Sequence, residues 1–434
     1  MLTETEDITE WIWKIAVESG GEVRYYDLLH GSATAGSWLD FATFVTLPPW
    51  VRGASSVDLY LEAFPETTSF LVDDVALYEE DMSGWEEEAN KRIEQIRKSN
   101  LRVTFVLESG GSVDGLQLEV TQKSHQFGFG SAVQSLEISR CQDGAESSYC
   151  TFAKENFNFM SDTYRMKWKE QEPSEGELNE DSLAVVDKFI EWARAEGMQV
   201  RGHSLLWARV QNNPDWVGQL KGQELVQAME TRVDTAVGMY DGLLPHWDVI
   251  NEMIGNNFYV DGTGDPEIRA SMFKRAKEMS PDTLLFVNEY GVLLDKYGRF
   301  EGFREVVRNL LAYGAPVDAL GLQGHITEED LADVATIQLH LDQLWEEFKL
   351  PIWITEFTFN VAGEISDPDH SIHAEQLENF YRVAFAHEAV QGVVMWQFQV
   401  GAVTTVFISK TIFIMTILFC SAQWCQRWFW DSWS

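Results

Sequence analysis

Trp247-Asp248-Val249-Ile250-Asn251-Glu252 and Pro351-Ile352-Trp353-Ile354-Thr355-Glu356 decide how the rest of the chain is read. Each is a short apolar run of β-branched and aromatic residues between turn signals, the pattern of a buried strand, and each ends in glutamate. Burial disfavours a carboxylate's charge, so a glutamate closing an apolar strand costs free energy unless something compensates. One such residue alone reads as a strand end facing solvent. Two in one chain, in matching settings, read as an acid/base pair.

Working outward, runs of the same kind end near Val133, Trp168, Trp207, Glu252, Tyr290, Ile326, Phe357 and Phe398. Helix-period segments separate the later ones. Leu183, Val186, Ile190 and Ala193 precede Gly197, Phe300, Phe303, Val307 and Leu310 precede Gly314, and Leu377, Phe380, Tyr381 and Ala384 mark a third. Strands alternating with helices imply a parallel sheet, and the eight units over residues 125–398 fit an α/β fold of the (β/α)8 TIM barrel type better than an open doubly wound sheet. No glycine-rich phosphate loop follows any of these strands, which argues against a nucleotide enzyme.

The flanks read differently. Residues 1–80 carry strand patterns at Trp38 to Leu47, Val57 to Leu61 and Phe70 to Tyr78, the spacing of a β-sandwich. Phe70 to Tyr78, with its paired aspartates, resembles the closing strand of a jelly-roll carbohydrate-binding module, of which only a part is expected here. Residues 81–124 read as a connecting segment: a charged helix over 85–98, then strand-like runs at Leu101 to Leu107 and Leu116 to Gln122. Residues 399–434 break the pattern as an aberrant apolar tail. Lys410 splits it, leaving it short of the roughly 20 residues that span a bilayer. It reads as sequence foreign to the domain, such as a mis-spliced end, or as a membrane anchor.

Composition excludes whole classes of partner. Formal net charge is −37, against nucleic acid and anionic membrane surfaces, whose binding rests on Lys and Arg neutralising phosphate. A hydrophobic fraction of 45%, with 17 Trp and 26 Phe, supplies a large core. Cys141 and Cys150 lie nine residues apart without histidines at metal spacing, so a loop-closing disulfide and an extracellular location are expected. Met1 to Gly20 lacks a signal peptide's apolar centre, and the start is expected to be incomplete.

At the C-terminal ends of the strands, where barrels of this type place their sites, stand Lys167, His203, Trp207, Asn251, Glu252, Asn288, Tyr290, Gln323, His325, Glu356 and Trp396. Indole faces stack on the apolar faces of pyranose rings, and Asn, Gln, His and Lys satisfy hydroxyls. The glutamates then supply glycosidic chemistry, one protonating the leaving oxygen and the other attacking the anomeric carbon. Singly, His203 and His325 would be ordinary core histidines, and Trp207 and Trp396 ordinary barrel packing. Zinc ligation is disfavoured by the absence of His-x-x-His-type spacing.

Arg201-Gly202-His203-Ser204-Leu205-Leu206-Trp207, the Asn251-Glu252 strand, Gly321-Leu322-Gln323-Gly324-His325 and Ile354-Thr355-Glu356, in this order and after Phe127-Gly128-Phe129-Gly130-Ser131-Ala132, resemble glycoside hydrolase family 10 over roughly 125–398. The resemblance implies a retaining endo-1,4-β-xylanase with no metal or other cofactor, acting on xylan. The alternatives are a β-1,4-glucanase and an impaired carbohydrate-binding protein. It implies Glu252 as general acid/base and Glu356 as nucleophile, with Asn251 on the sugar 2-hydroxyl. Gln323 and His325 would orient Glu356, Lys167, His203, Trp207 and Trp396 would line the glycone side, and Tyr290 would also bind substrate. The chain departs from the family's pattern at Thr163-Tyr164-Arg165, Ala208, Phe357-Thr358 and the segment after Trp396.

Overall fold

The computed structural model describes residues 125–144, 147–295, 298–327, 333–360 and 367–398, with separate stretches among 2–122 that include 7–36, 53–62, 69–76, 81–105 and 117–120. Trp38 to Leu47 in large part, and the whole tail from 399, lie outside the described residues.

Eight parallel strands close into a barrel: β1 Gly128–Val133, β2 Phe159–Asp162, β3 Gln199–Trp207, β4 His246–Asn251, β5 Leu284–Glu289, β6 Ala319–Leu322, β7 Ile352–Asn360 and β8 Val390–Met395. Each pairs with its sequence neighbours. β8 returns to β1 through Gly392 opposite Gly128, so the sheet has no edge. Helices such as Glu180–Ala195, Gly222–Met239, Arg299–Ala312 and Val334–Phe348 follow individual strands and bury one stripe each. The (β/α)8 expectation holds.

Inside the barrel Phe159, Phe286, Ala319, Trp353 and Val394 form a separate apolar layer. Trp353 fills the floor because its neighbours yield: a Cβ on Gly128 would sit 2.2 Å from the indole, and one on Gly392 would sit 2.3 Å from it. Gly202 yields to Trp247 in the same way, at 2.2 Å. The glycines of the Phe127-Gly128-Phe129-Gly130 motif thus serve packing.

Four element boundaries differ from expectation. β2 stops at Asp162, and Met166-Lys167-Trp168 form a turn into the short helix Trp168–Gln171. Apolar Met166 and Trp168 are buried against the core from that turn, which gave them a strand's appearance. β6 stops at Leu322, and His325–Thr327 forms its own short strand beside the end of β7 after Gly324, which adopts positive φ. Residues 101–105 and 117–120 carry no strand and are exposed. In the Phe70 run only Phe70–Leu71 is strand, and 72–76 is not.

Before the barrel, Ile8–Ser19 pairs antiparallel with Glu22–Ala33 and with Ser56–Glu62, giving a small sheet over a cluster of Ile8, Trp11 and Trp13. Gly20 and Gly21, both at positive φ, make the tight hairpin turn. Helix Trp85–Ile96 packs on the barrel wall, burying Ala89 and Ile93 in the main core. Arg97 fixes its end by donating to the carbonyls of Phe385, His387 and Val390 at 2.9, 2.7 and 2.6 Å. Cys141 and Cys150 are disulfide-bonded.

Two substitutions test this packing by thermal unfolding. Gly128→Ala should cost about 1–3 kcal/mol by overpacking against Trp353. Arg97→Ala should cost about 2–3 kcal/mol by stripping three buried carbonyls of their charged donor.

Candidate active site

The barrel mouth is built where strand pairing is irregular. Between β3 and β4 the register shifts between His203 and Leu206, and between β7 and β8 it shifts between Ile354 and Phe357. Such bulges re-aim side chains, and they put His203 and Glu356 at the rim of the core. Glu252, just past β4, sits at φ 57°, a strained conformation for a non-glycine residue, held by its N–H donating to Asn288 O at 3.1 Å.

Glu356 is 5% exposed and surrounded by donors. Asn288 Nδ2 donates to its Oε1 at 2.8 Å, and His325 Nε2 stands 3.3 Å from Oε2. His203 Nδ1 is 3.8 Å from Oε1. Burial alone would raise the carboxyl's pKa, but the His203 imidazole, the hydrogen bond and charge of His325 and the Asn288 amide outweigh it and hold Glu356 below the ordinary range.

These donors are themselves fixed. Asn288 Nδ2 also donates to Asn251 Oδ1 at 3.0 Å, and its Oδ1 accepts from Thr355 Oγ1 at 2.5 Å, which settles the amide's orientation. Gly321 leaves room for it, since a Cβ there would lie 2.6 Å from Asn288 Oδ1. His325 Nδ1 bonds Thr358 Oγ1 at 2.9 Å, so Thr358 replaces nothing idle. His203 Nδ1 donates to Asp248 Oδ2 at 2.8 Å, and Arg201 Nη2 donates to Asp248 Oδ1 at 2.8 Å, all three buried inside the barrel. Burial pushes Asp248 up, yet Arg201 and His203 outweigh it and keep it low.

Glu252 has a different surround. Gln323 Nε2 donates to its Oε1 at 3.3 Å, and Arg209 Nε lies 2.8 Å from its Oε2. The role expected for Gln323 is therefore corrected: its side chain serves Glu252, and only its backbone carbonyl touches Glu356, through the N–H at 2.9 Å. The cause is its position at the turn after β6, where backbone and side chain face different strands.

Beside the carboxylates, Lys167 Nζ lies 4.8 Å from the Trp207 ring and 5.8 Å from the Trp396 ring, with His203 edge-on to both indoles. A buried cation needs a partner, and aromatic faces supply it. Burial lowers its pKa against the pull of Glu356 and other carboxylates. Asn251 Nδ2, His203 Nε2 and Trp207 Nε1 are buried without a hydrogen-bond partner among the described residues. Tyr290 accepts from Arg209 Nη2 at 2.5 Å, and the Arg299 guanidinium packs 3.5 Å from its ring centroid. All eleven residues singled out from the sequence thus meet at one end of the barrel. Arg201, Arg209, Asp248, Thr355 and Arg299 were missed. Arg201 and Asp248 did carry a signal, as charges inside strands otherwise apolar, whereas Arg209 sits in a polar loop and carried none.

Residues 118–402 match the sequence model of glycosyl hydrolase family 10. The chain is 35% identical over 314 residues to anti-sigma-I factor RsgI6 of Acetivibrio thermocellus, covering 72% of this chain and 38% of that protein. To endo-1,4-beta-xylanase 2 of Arabidopsis thaliana it is 28% identical over 406 residues, covering 91% and 36%. It therefore spans well under half the length of these relatives. Xylanase 10B from Thermotoga petrophila RKU-1, solved in complex with xylobiose, shares the fold with a TM-score of 0.56 at 23% identity, over 63% of this chain and 83% of that one. The GH10 xylanase of Thermobacillus composti gives a TM-score of 0.52 at 26% identity, over 62% and 84%.

Were Glu356 the nucleophile that the sequence resemblance implies, it would have to be ionised, and turnover would be lost as pH falls through its pKa. His325→Ala removes one stabilising donor while Lys167, His203 and Asn288 remain. The acid limb of the kcat/KM profile should move to higher pH, and an unmoved limb would mean that His325 does not tune Glu356.

Proposed function

This chain belongs to glycosyl hydrolase family 10, and from that premise we propose that it is a retaining endo-1,4-β-xylanase. The observation that carries this reading is a pair of buried glutamates at one barrel mouth, each with its own set of partners. Glu356 receives donors on both oxygens and is held ionised, as a nucleophile must be. Glu252 stands on a neighbouring face of the same mouth, joined to it through Gln323.

In the first half-reaction Glu356 attacks the anomeric carbon while Glu252 gives its proton to the leaving glycosidic oxygen. A covalent glycosyl-enzyme results. In the second, Glu252 takes a proton from water, the water oxygen bonds the anomeric carbon, and the ester bond to Glu356 breaks. Asn251 Nδ2, His203 Nε2 and Trp207 Nε1 are the groups a sugar's hydroxyls would satisfy, with Asn251 at the 2-hydroxyl. Trp207, Trp396 and Lys167 would bed the glycone and Tyr290 the leaving side. No metal or cofactor enters this scheme.

The catalytic unit is drawn over 125–398, with helix Trp85–Ile96 docked on it. The sheet before it is proposed as part of a carbohydrate-binding module, supported by the exposed Tyr25 and Tyr60, whose rings meet edge-on at 6.1 Å. Secretion is proposed from the Cys141–Cys150 disulfide, which persists in oxidising compartments. The −37 charge supports a neutral polysaccharide partner over nucleic acid or membrane.

Reducing-sugar release from xylan and from soluble cellulose, with this chain and with Glu356→Gln, tests the proposal. Release from xylan that the substitution abolishes supports it, with proton NMR showing the β-anomer formed first. Release from cellulose alone would overturn the substrate, and activity retained in Glu356→Gln would overturn the mechanism.

A further inference from the structure

Arg209 has no part in the reaction scheme above, yet it touches Glu252. Its Nε lies 2.8 Å from Glu252 Oε2 but is not aligned as a hydrogen-bond donor, so the contact is one of charge. With Gln323 donating to Oε1 and the Arg209 charge beside Oε2, the surround suits a carboxylate at Glu252. Arg209 is held from its other end as well. Its Nη2 donates to Tyr290 OH at 2.5 Å, and its guanidinium carbon lies 5.1 Å from the Tyr290 ring centroid. Tyr290 is in turn held by Arg299, whose Nε donates to its carbonyl at 2.8 Å.

The backbone under Arg209 is fixed. Asn213 Nδ2 donates to the carbonyls of Trp207 and Arg209 at 2.8 and 2.9 Å, and buried Tyr259 donates to Asn213 Oδ1 at 2.6 Å. Backbone and side chain together thus fix the guanidinium between Glu252 and Tyr290.

The geometry points to Arg209 as a fixed counter-ion, a positioning residue held by Tyr290 that orients the Glu252 carboxylate for the second half-reaction. This rests on the reading of Glu252 as acid/base. In the step it serves, water's proton passes to Glu252 as water's oxygen bonds the anomeric carbon and the electron pair of the broken ester returns to Glu356. Arg209 itself gains and loses no bond.

A dinitrophenyl xylobioside tests this, because its leaving group needs no proton and the second half-reaction then limits kcat. Arg209→Met should lower kcat on the order of 10-fold with KM falling in step, so that kcat/KM stays within about 3-fold. A burst of dinitrophenol and a xylobiosyl adduct on Glu356, seen in the intact mass of quenched enzyme, should accompany it. Arg209→Lys, which keeps the charge, should recover part of the lost kcat. If Arg209→Met does not fold, Arg209→Gln carries the same test. A kcat and kcat/KM that fall together, or neither moving, would overturn the inference. Glu252→Ala run alongside must show the same split more strongly. Its failure to do so would sink the acid/base reading itself, whatever Arg209 does.

Discussion

The mouth of this barrel depends on a charge placed where charge is least welcome. Asp248 sits in the middle of a strand, fully buried, and a lone carboxylate there would be untenable. Arg201 and His203, on the adjacent strand, each take one of its oxygens. Removing Arg201 or Asp248 would strand the other's charge in the interior, a loss of about 3–5 kcal/mol. The arrangement therefore cannot drift, and His203, clamped from behind, faces Glu356 in one tautomer and one orientation. The Asn288 amide does the same from the other side, tied at once to Thr355, Asn251 and Glu356. Glu356 inherits its placement from strands on both sides.

Much of this was legible in the sequence because barrels translate order along the chain into position around a ring. Glutamates closing two apolar strands had to meet at one end, and the residues at the other strand ends had to gather beside them. What was illegible came from side chains acting across strands. Gln323 could be assigned to the mouth, but which of two glutamates its amide reaches is set by a turn geometry that no spacing reveals. Lys167 was placed on a strand because Met166 and Trp168 flank it with apolar surface, and burial from a turn looks the same in sequence as burial from a strand. In the small N-terminal sheet, Gly20-Gly21 between two alternating runs was a hairpin signal that the acidic residues nearby obscured.

Arg209 and Lys167 show two ways for a cation to live beside carboxylates. Lys167 rests over two indoles, and among the described residues no carboxylate pairs with it closely, so its charge acts on the site at a distance. Arg209 touches its carboxylate directly while a tyrosine holds its other end. The first is a background potential, and the second is a contact that sets the place of one carboxylate.

The closure of the sheet also governs how the chain comes into being. Ser131 and Met395, side by side where β1 meets β8, are 264 positions apart in sequence. β1 leaves the ribosome early and waits, one flank unsatisfied, until nearly the whole catalytic unit has been made. Trp353, which plugs the floor against Gly128 and Gly392, likewise emerges late. Until then the nascent chain exposes an open, apolar sheet, so its passage to the native state is a race between synthesis and association with other chains.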